Sequence, residues 1–247
     1  MLSRHAVIPV LVGLLIVFSA MPCFPQAEEA SGALEEGKAA LKAGRTNQAV
    51  EIFSQIIAIA PKAELYYYRG VAHASNNTHA PAVRDLDKAI SLKPNEPSYY
   101  LQRGMSLHQV QEYRKAVDDF AKVLELDPMN PYALAHRARA RFALNNLDKA
   151  LDDVTEAIQH VRANSSLYKL RGDIFCAGGT YDRAIADYDR AIELNPNYPA
   201  AYNNRGTALA NLGKTNDALK DLITAMEVAD SLPSFGRLPD FAPDSLN

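Results

Sequence analysis

Five arginines and five aspartates recur at one spacing along this 247-residue chain: Arg69 and Asp85, Arg103 and Asp119, Arg137 and Asp153, Arg171 and Asp187, Arg205 and Asp221. Side chains of this kind can do one of two things. They can pair with each other, or the arginines can form a basic stripe that reads an acidic ligand. Each arginine and its aspartate stand equally far from a turn residue between them, so in an antiparallel hairpin they meet at the same level. Internal pairing is therefore the expected use. An exposed ion pair contributes only about 0–1 kcal/mol. A half-buried one matters mainly because removing one partner strands the other.

Other reactive residue types are sparse. His108 and His136 could approach one another across neighbouring helices, but no third metal ligand is evident, so packing or surface roles are expected. Cys176 matches no nucleophile signature with a nearby histidine and reads as a small, semi-buried residue. Asp118-Asp119 and Asp152-Asp153 are adjacent in sequence and point in different directions on a helix, which does not make an acid–base couple. Gly178-Gly179 lacks the motif of a phosphate-cradling loop. No catalytic residue, metal or cofactor is expected.

The elements that must hold the ladder are visible as an internal period. Gly70, Gly104, Ala138, Gly172 and Gly206 follow one another at 34 residues, with Gly37 33 residues before Gly70. Twelve residues after each stands an alanine: Ala49, Ala82, Ala116, Ala150, Ala184 and Ala218. Four further on comes a larger apolar residue: Phe53, Leu86, Phe120, Val154, Tyr188 and Leu222. A small residue facing an alanine lets two helices approach closely. Between them stand Gly44, Asn77, Gln111, Asn145, Gly179 and Gly213. All but Gln111 are residue types that tolerate the left-handed conformation ending a helix. Pro61, Pro94, Pro128 and Pro196 then stop the second helix.

This pattern resembles the tetratricopeptide repeat, a 34-residue helix–turn–helix unit. The resemblance covers residues 30–230 as six units, about 30–62, 63–96, 97–130, 131–164, 165–198 and 199–230. Departures are Ala138 at the small position, Arg162 and Asp230 at the closing proline, and Ala33 for the usual large residue of the first unit. The resemblance implies an all-α fold, a right-handed superhelical α-solenoid of antiparallel helix pairs, with a concave face lined by the first helices. Hairpins of this kind bury their apolar faces by stacking, so stability runs along the array.

Carrying over the family's groove positions gives an apolar and aromatic centre of Tyr67, Val71, Leu101, Met105, Tyr132 and Phe142. His108 lies within it, and Arg139 and Lys169 form a basic edge toward the C-terminus. Unit five also places Ser166, Asp173 and Cys176 in the groove. Tyrosine and arginine are frequent interface anchors, and methionine adapts to varied partners. Against a binding role stands the plainer one, that several of these side chains only pack between repeats. A subfamily that clamps chaperone carboxylates uses lysines, arginines and asparagines in this groove. The matching places here hold Leu34, Lys38, Tyr68, Ser98 and Gln102, with one cation, so that clamp is not expected.

Composition sets the remaining bounds. The chain is 48% hydrophobic and 22% charged, with net charge -3 and signs interspersed. That supplies a sizeable core and no basic stripe for nucleic acid. Residues 1–27 differ in kind: Arg4 and His5 precede an apolar run from Ala6 to Ala20, and no acid appears before Glu28. A cleaved signal peptide or an uncleaved anchor over residues 6–24 both fit, and both place the rest across or on a membrane, in a periplasm or secretory lumen. Cleavage after Ala27 would remove Cys23 and leave one thiol, whereas cleavage after Ser19 would keep both. Residues 231–247 form a proline-rich tail whose Phe235, Leu238, Phe241 and Leu246 could cover the last hairpin, stay disordered or enter another copy. The expected function is a non-enzymatic scaffold or adaptor that binds a peptide or protein segment. The alternative is a structural accessory subunit of a membrane-bound or secretion complex.

Overall fold

The structure, a computed structural model, describes residues 24–232. Nearly all of the expected targeting segment, Cys23 included, and the tail from Pro233 onward lie outside the described residues. Twelve α-helices follow in order, with no strand among the described residues. They are α1 (Phe24–Lys42), α2 (Thr46–Ile59), α3 (Ala63–Ser75), α4 (His79–Leu92), α5 (Pro97–Gln109) and α6 (Tyr113–Leu126). Then come α7 (Pro131–Ala143), α8 (Leu147–His160), α9 (Ser165–Ala177), α10 (Tyr181–Leu194), α11 (Pro199–Asn211) and α12 (Thr215–Ser231). Each odd helix packs on the even helix that follows, and each even helix on the next odd one. The fold is the expected all-α superhelical solenoid. Odd helices of successive hairpins also touch one another, from α1 with α3 to α9 with α11, while even helices do not. The odd helices therefore lie on the inside of the curve.

The second helices show why the sequence folds this way. In α6 the buried residues are Ala116, Asp119, Phe120 and Val123, a spacing that puts all four on one face. Phe53, Leu86, Phe120, Val154 and Tyr188 are almost wholly enclosed. Burying a side chain of this size contributes about 1.5–3 kcal/mol. Each is accommodated by the small residue opposite. A Cβ added at Gly104 would sit 2.7 Å from Phe120 Cε1, and one at Gly172 would sit 2.7 Å from Tyr188 Cε1. Where the repeat departs to Ala138, its partner is Val154, and the two share one core. The extra methyl at one position is matched by a smaller side chain at the other.

The turns hold one surprise. Gly44, Asn77, Asn145, Gly179 and Gly213 have positive φ, as expected, and so does Gln111 at +64°. Its neighbour Glu112 donates its N–H to Leu107 O at 2.9 Å, the same link that Thr180 makes to Phe175 O at 2.9 Å. Hairpin closure imposes the left-handed residue even where the side chain does not favour it. The missing proline at Arg162 is equally inconsequential. Val161 ends α8 at φ -130° and ψ 80°, close to the φ -140° and ψ 86° of Asp127 before Pro128.

Candidate functional site

The odd helices present two flanks, and the arginine ladder occupies one of them. All five expected pairs form, each as a two-pronged contact. Arg103 donates Nε to Asp119 Oδ2 at 2.9 Å and Nη2 to Oδ1 at 2.6 Å. The corresponding distances are 2.8 and 2.7 Å for Arg69–Asp85 and 3.0 and 2.7 Å for Arg137–Asp153. They are 2.8 and 2.7 Å for Arg171–Asp187, and both 2.7 Å for Arg205–Asp221. The aspartates are buried. Burial pushes the Asp119 carboxyl up against the opposing pull of Arg103. The pair thus satisfies two charges without adding much net stability.

The ladder also links neighbouring hairpins. Arg103 Nη1 reaches Asp87 at 2.7 Å, Arg205 Nη1 reaches Asp189 at 2.6 Å, and Arg69 Nη1 reaches Ser54 at 3.1 Å. Arg141 adds a second cation to Asp153 at 2.6 Å. Tyr66, Tyr100, Tyr168 and Tyr202 lie 5.5–5.7 Å from the guanidinium three residues on. With their donors turned inward, these arginines are poor readers of an acidic ligand. A concavity of about 770 Å³ on this side is lined by Leu151, Asp152, Glu156, Arg171, Phe175 and Arg183 among others. It contains none of the expected binding residues.

The other flank carries the expected groove residues, and the structure divides them. Tyr67 stacks on Tyr99 with centroids 5.0 Å apart and meets Tyr68 edge-on at 5.1 Å. Burial, with the neighbouring Tyr68 and Tyr99, pushes its phenol up to about 12. Leu101 and Met105 pack on the core formed by Leu107, Ala116, Phe120 and Ala140. Val71 and Tyr132 are half-buried in α3 and α7. None of these residues lines the cavity that the remaining four share. For Tyr67, Leu101 and Met105 the packing role is evident.

His108, Arg139, Phe142 and Lys169 do converge. They line one cavity of about 340 Å³ together with Ala143, Ser166, Leu170, Asp173 and Tyr198. Burial and the adjacent Arg139 push the His108 imidazole below its ordinary value. Its ring meets Tyr113 edge-on at 5.1 Å. His136, behind it, stacks on Phe120 at 5.6 Å, and burial pushes it down to about 3. No group of His, Cys, Asp or Glu that could hold a metal occurs among the described residues.

The residue that organises this site is Asp173. Its Oδ2 lies 2.9 Å from Lys169 Nζ, while Oδ1 accepts from Tyr188 Oη at 3.0 Å and from Asn204 Nδ2 at 2.8 Å. The edge expected to be basic is therefore partly neutralised, and Lys169 is aimed by its own carboxylate. A second cavity of about 330 Å³ continues past Asp173, lined by Phe142, Cys176, Ala177, Tyr188, Asn204 and Thr207. Burial and Asp173 push the Cys176 thiol up, which suits the expected unreactive role. Ser166 and Asp173 occupy expected groove positions without having been singled out as anchors. Tyr198, Tyr188 and Asn204 lie outside that set; the period marks Tyr188 as a core residue only and gives no signal for the other two. At the other end Lys38, the one cation at the clamp positions, is held by Glu35 and Glu64 at 3.1 Å each.

Comparison with known proteins bears on the fold. A family profile described as "Tetratricopeptide repeat" matches residues 34–97 and 101–166, and one described as "TPR repeat" matches residues 172–213. No curated protein matches the chain. Among solved structures, MamA from Desulfovibrio magneticus RS-1 is 22% identical, with TM-score 0.64, over 70% of this chain and 97% of that one. Pseudomonas aeruginosa PilF is 14% identical, with TM-score 0.70, over 84% of this chain and 95% of that one. YrrB, a TPR protein with an unusual peptide-binding site, is 21% identical, with TM-score 0.59, over 74% of this chain and 94% of that one. At these identities the likeness is one of fold.

Proposed function

Because the chain belongs to the tetratricopeptide repeat family, we propose that it is a non-enzymatic scaffold that takes a peptide or protein segment on its concave face, outside the cytoplasm. One observation carries this reading. His108, Arg139, Phe142 and Lys169 come from three different helices and converge on one cavity. Such a site joins an apolar wall, hydrogen-bonding groups and an oriented ammonium, which is what a peptide side chain and its backbone require. The fold likeness to YrrB supports it, since that protein has a peptide-binding site. The exported location rests on the composition of residues 1–27, a basic start followed by an apolar run. Among the described residues, no helix is long and apolar enough to cross a membrane.

The test is pull-down from membranes with the wild-type chain and with Phe142→Ala, Lys169→Ala. The expected result is loss of the bound protein at unchanged helicity, with Arg114→Ala on exposed α6 surface as control. Retention of the same partner by the double variant would sink the groove reading. It would favour a structural accessory subunit held through other surfaces.

A further inference from the structure

The groove flank changes character along the array. At the fifth and ninth positions of the odd helices stand Tyr67 and Val71 in α3, then Leu101 and Met105 in α5. The same positions hold Ala135 and Arg139 in α7, and Lys169 and Asp173 in α9. Only the fifth unit sets two opposite charges there. The hydrogen-bonding capacity that this pair leaves unused has one sign, and that sign bears on what a bound segment must carry.

Asp173 has little acceptor capacity to offer. Its Oδ1 accepts from Tyr188 Oη at 3.0 Å and from Asn204 Nδ2 at 2.8 Å, and its Oδ2 lies 2.9 Å from Lys169 Nζ. These partners come from α10, α11 and α9, so the carboxylate is held from three helices with most of its lone pairs used. Lys169 is in the opposite state. An ammonium has three donors, and Asp173 is its one ion-pair partner among the described residues. The Ser166 hydroxyl lines the same cavity and makes no hydrogen bond among the described residues. The charge of Arg139 reaches this space too, since it helps to push the His108 imidazole down. A basic ligand would meet a filled acceptor and two cations. An acidic one meets open donors.

The ligand also has room to continue. The cavity of about 340 Å³ beside Lys169 and that of about 330 Å³ beyond Asp173 share Phe142 and Asp173 as a common wall. Phe142 and Leu170 give the first an apolar side, and Cys176, Ala177 and Thr207 line the second with small side chains. A segment that fills both passes the cations and does not end on them.

We propose that the groove selects a partner segment with an acidic side chain at Lys169 and a small or apolar residue next to it, beside Cys176 and Thr207. The inference rests on the peptide-binding reading above and adds the chemistry of the ligand. The carboxylate takes the remaining Lys169 donors and the Ser166 hydroxyl, while its methylenes lie against Phe142 and Leu170. Asp173 is a positioning residue. It fixes the ammonium before the ligand arrives, which lowers the cost of ordering it on binding.

The probes are arrayed peptides, blocked at both ends, with varied flanks around a central Glu, Gln or Lys. The full chain is applied to the array, and the strongest binder and its central variants are then titrated by fluorescence anisotropy. The Glu peptide is expected to bind about tenfold more tightly than its Gln counterpart, as a charge-assisted hydrogen bond requires, with the Lys peptide weakest. Lys169→Met keeps the stem and removes the ammonium. It should abolish the advantage of Glu over Gln while leaving the Gln peptide's affinity and the far-ultraviolet circular dichroism unchanged. Equal binding of Glu and Gln peptides, lost in Phe142→Ala, would overturn the acidic preference and leave the peptide groove standing. A Glu preference that survives Lys169→Met would place the recognition elsewhere and overturn the proposal. So would binding that needs a free peptide C-terminus, tested with an unblocked copy of the array. If no peptide binds in a Phe142-dependent way, this proposal and the groove reading fall together.

Discussion

The two flanks of the odd helices contrast in how they use charge. On the ladder flank, Arg103 meets Asp119 through two hydrogen bonds across a hairpin, and the aspartate is buried. On the groove flank, Lys169 meets Asp173 through a single contact within one helix, and both remain partly open. The first arrangement recurs in five hairpins and the second occurs in one. A charge pair that repeats with the period serves the period. One that breaks it is available for something the other repeats do not do.

The largest expected effect comes from breaking the repeated pair. Arg103→Ala should lower unfolding stability by about 3 kcal/mol, because it strands a buried carboxylate. Arg103→Ala with Asp119→Ala should cost less than the single change. Chemical denaturation of the three variants checks this, and strict additivity of the two single changes would refute the coupling.

Next comes the seam beside the ladder. Gly104→Ala drives a methyl into the Phe120 ring and should cost about 2 kcal/mol. Adding Phe120→Val recreates the Ala138–Val154 combination and should recover part of that loss. If the double variant is less stable than the single one, the size compensation read from Ala138 is wrong.

His136 lies where the two flanks meet, against Phe120 and under the field of Arg139 and His108. Burial holds it neutral down to about 3, whereas its ordinary value is 6.5. Below 6.5 the unfolded chain takes up a proton that the native chain does not. Stability from this group is therefore present above that pH and is lost as pH falls, by up to about 1.4 kcal/mol per pH unit. His136→Leu should flatten that acid limb in melting curves recorded from pH 7 to pH 4. An unchanged slope would mean that the ring titrates normally.

The smallest expected effect on folding is on the groove flank. Lys169→Ala removes a partly exposed pair and should change stability by under about 0.5 kcal/mol, measured by the same denaturation. A loss as large as that of Arg103→Ala would erase the distinction between the flanks.

Much of the scaffold is legible in the residue pattern alone. The small-residue period locates the hairpins, and equal distance from the turn is enough to pair each arginine with its aspartate. Both rest on local geometry that a helical hairpin fixes within one unit. Gln111 shows the limit of residue preference, since it takes a positive φ that its type disfavours. The groove is legible as a set of positions but not as a site. Tyr67, Leu101 and Met105 are drawn into packing, while His108, Arg139, Phe142 and Lys169 share a cavity.

What the sequence determined by itself is therefore the repeat, its phase and the contacts inside each hairpin, because these depend on separations of a few helical turns. Only the tertiary structure decided which groove residues meet and that Asp173 ties them together. Asn204 reaches Asp173 from 31 residues away and Tyr188 from 15. The first contact depends on how one hairpin stacks on the next. The second depends on which polar group of the groove a core ring finds once it is buried. A 34-residue period gives every unit the same address and leaves its neighbour's side chain unspecified.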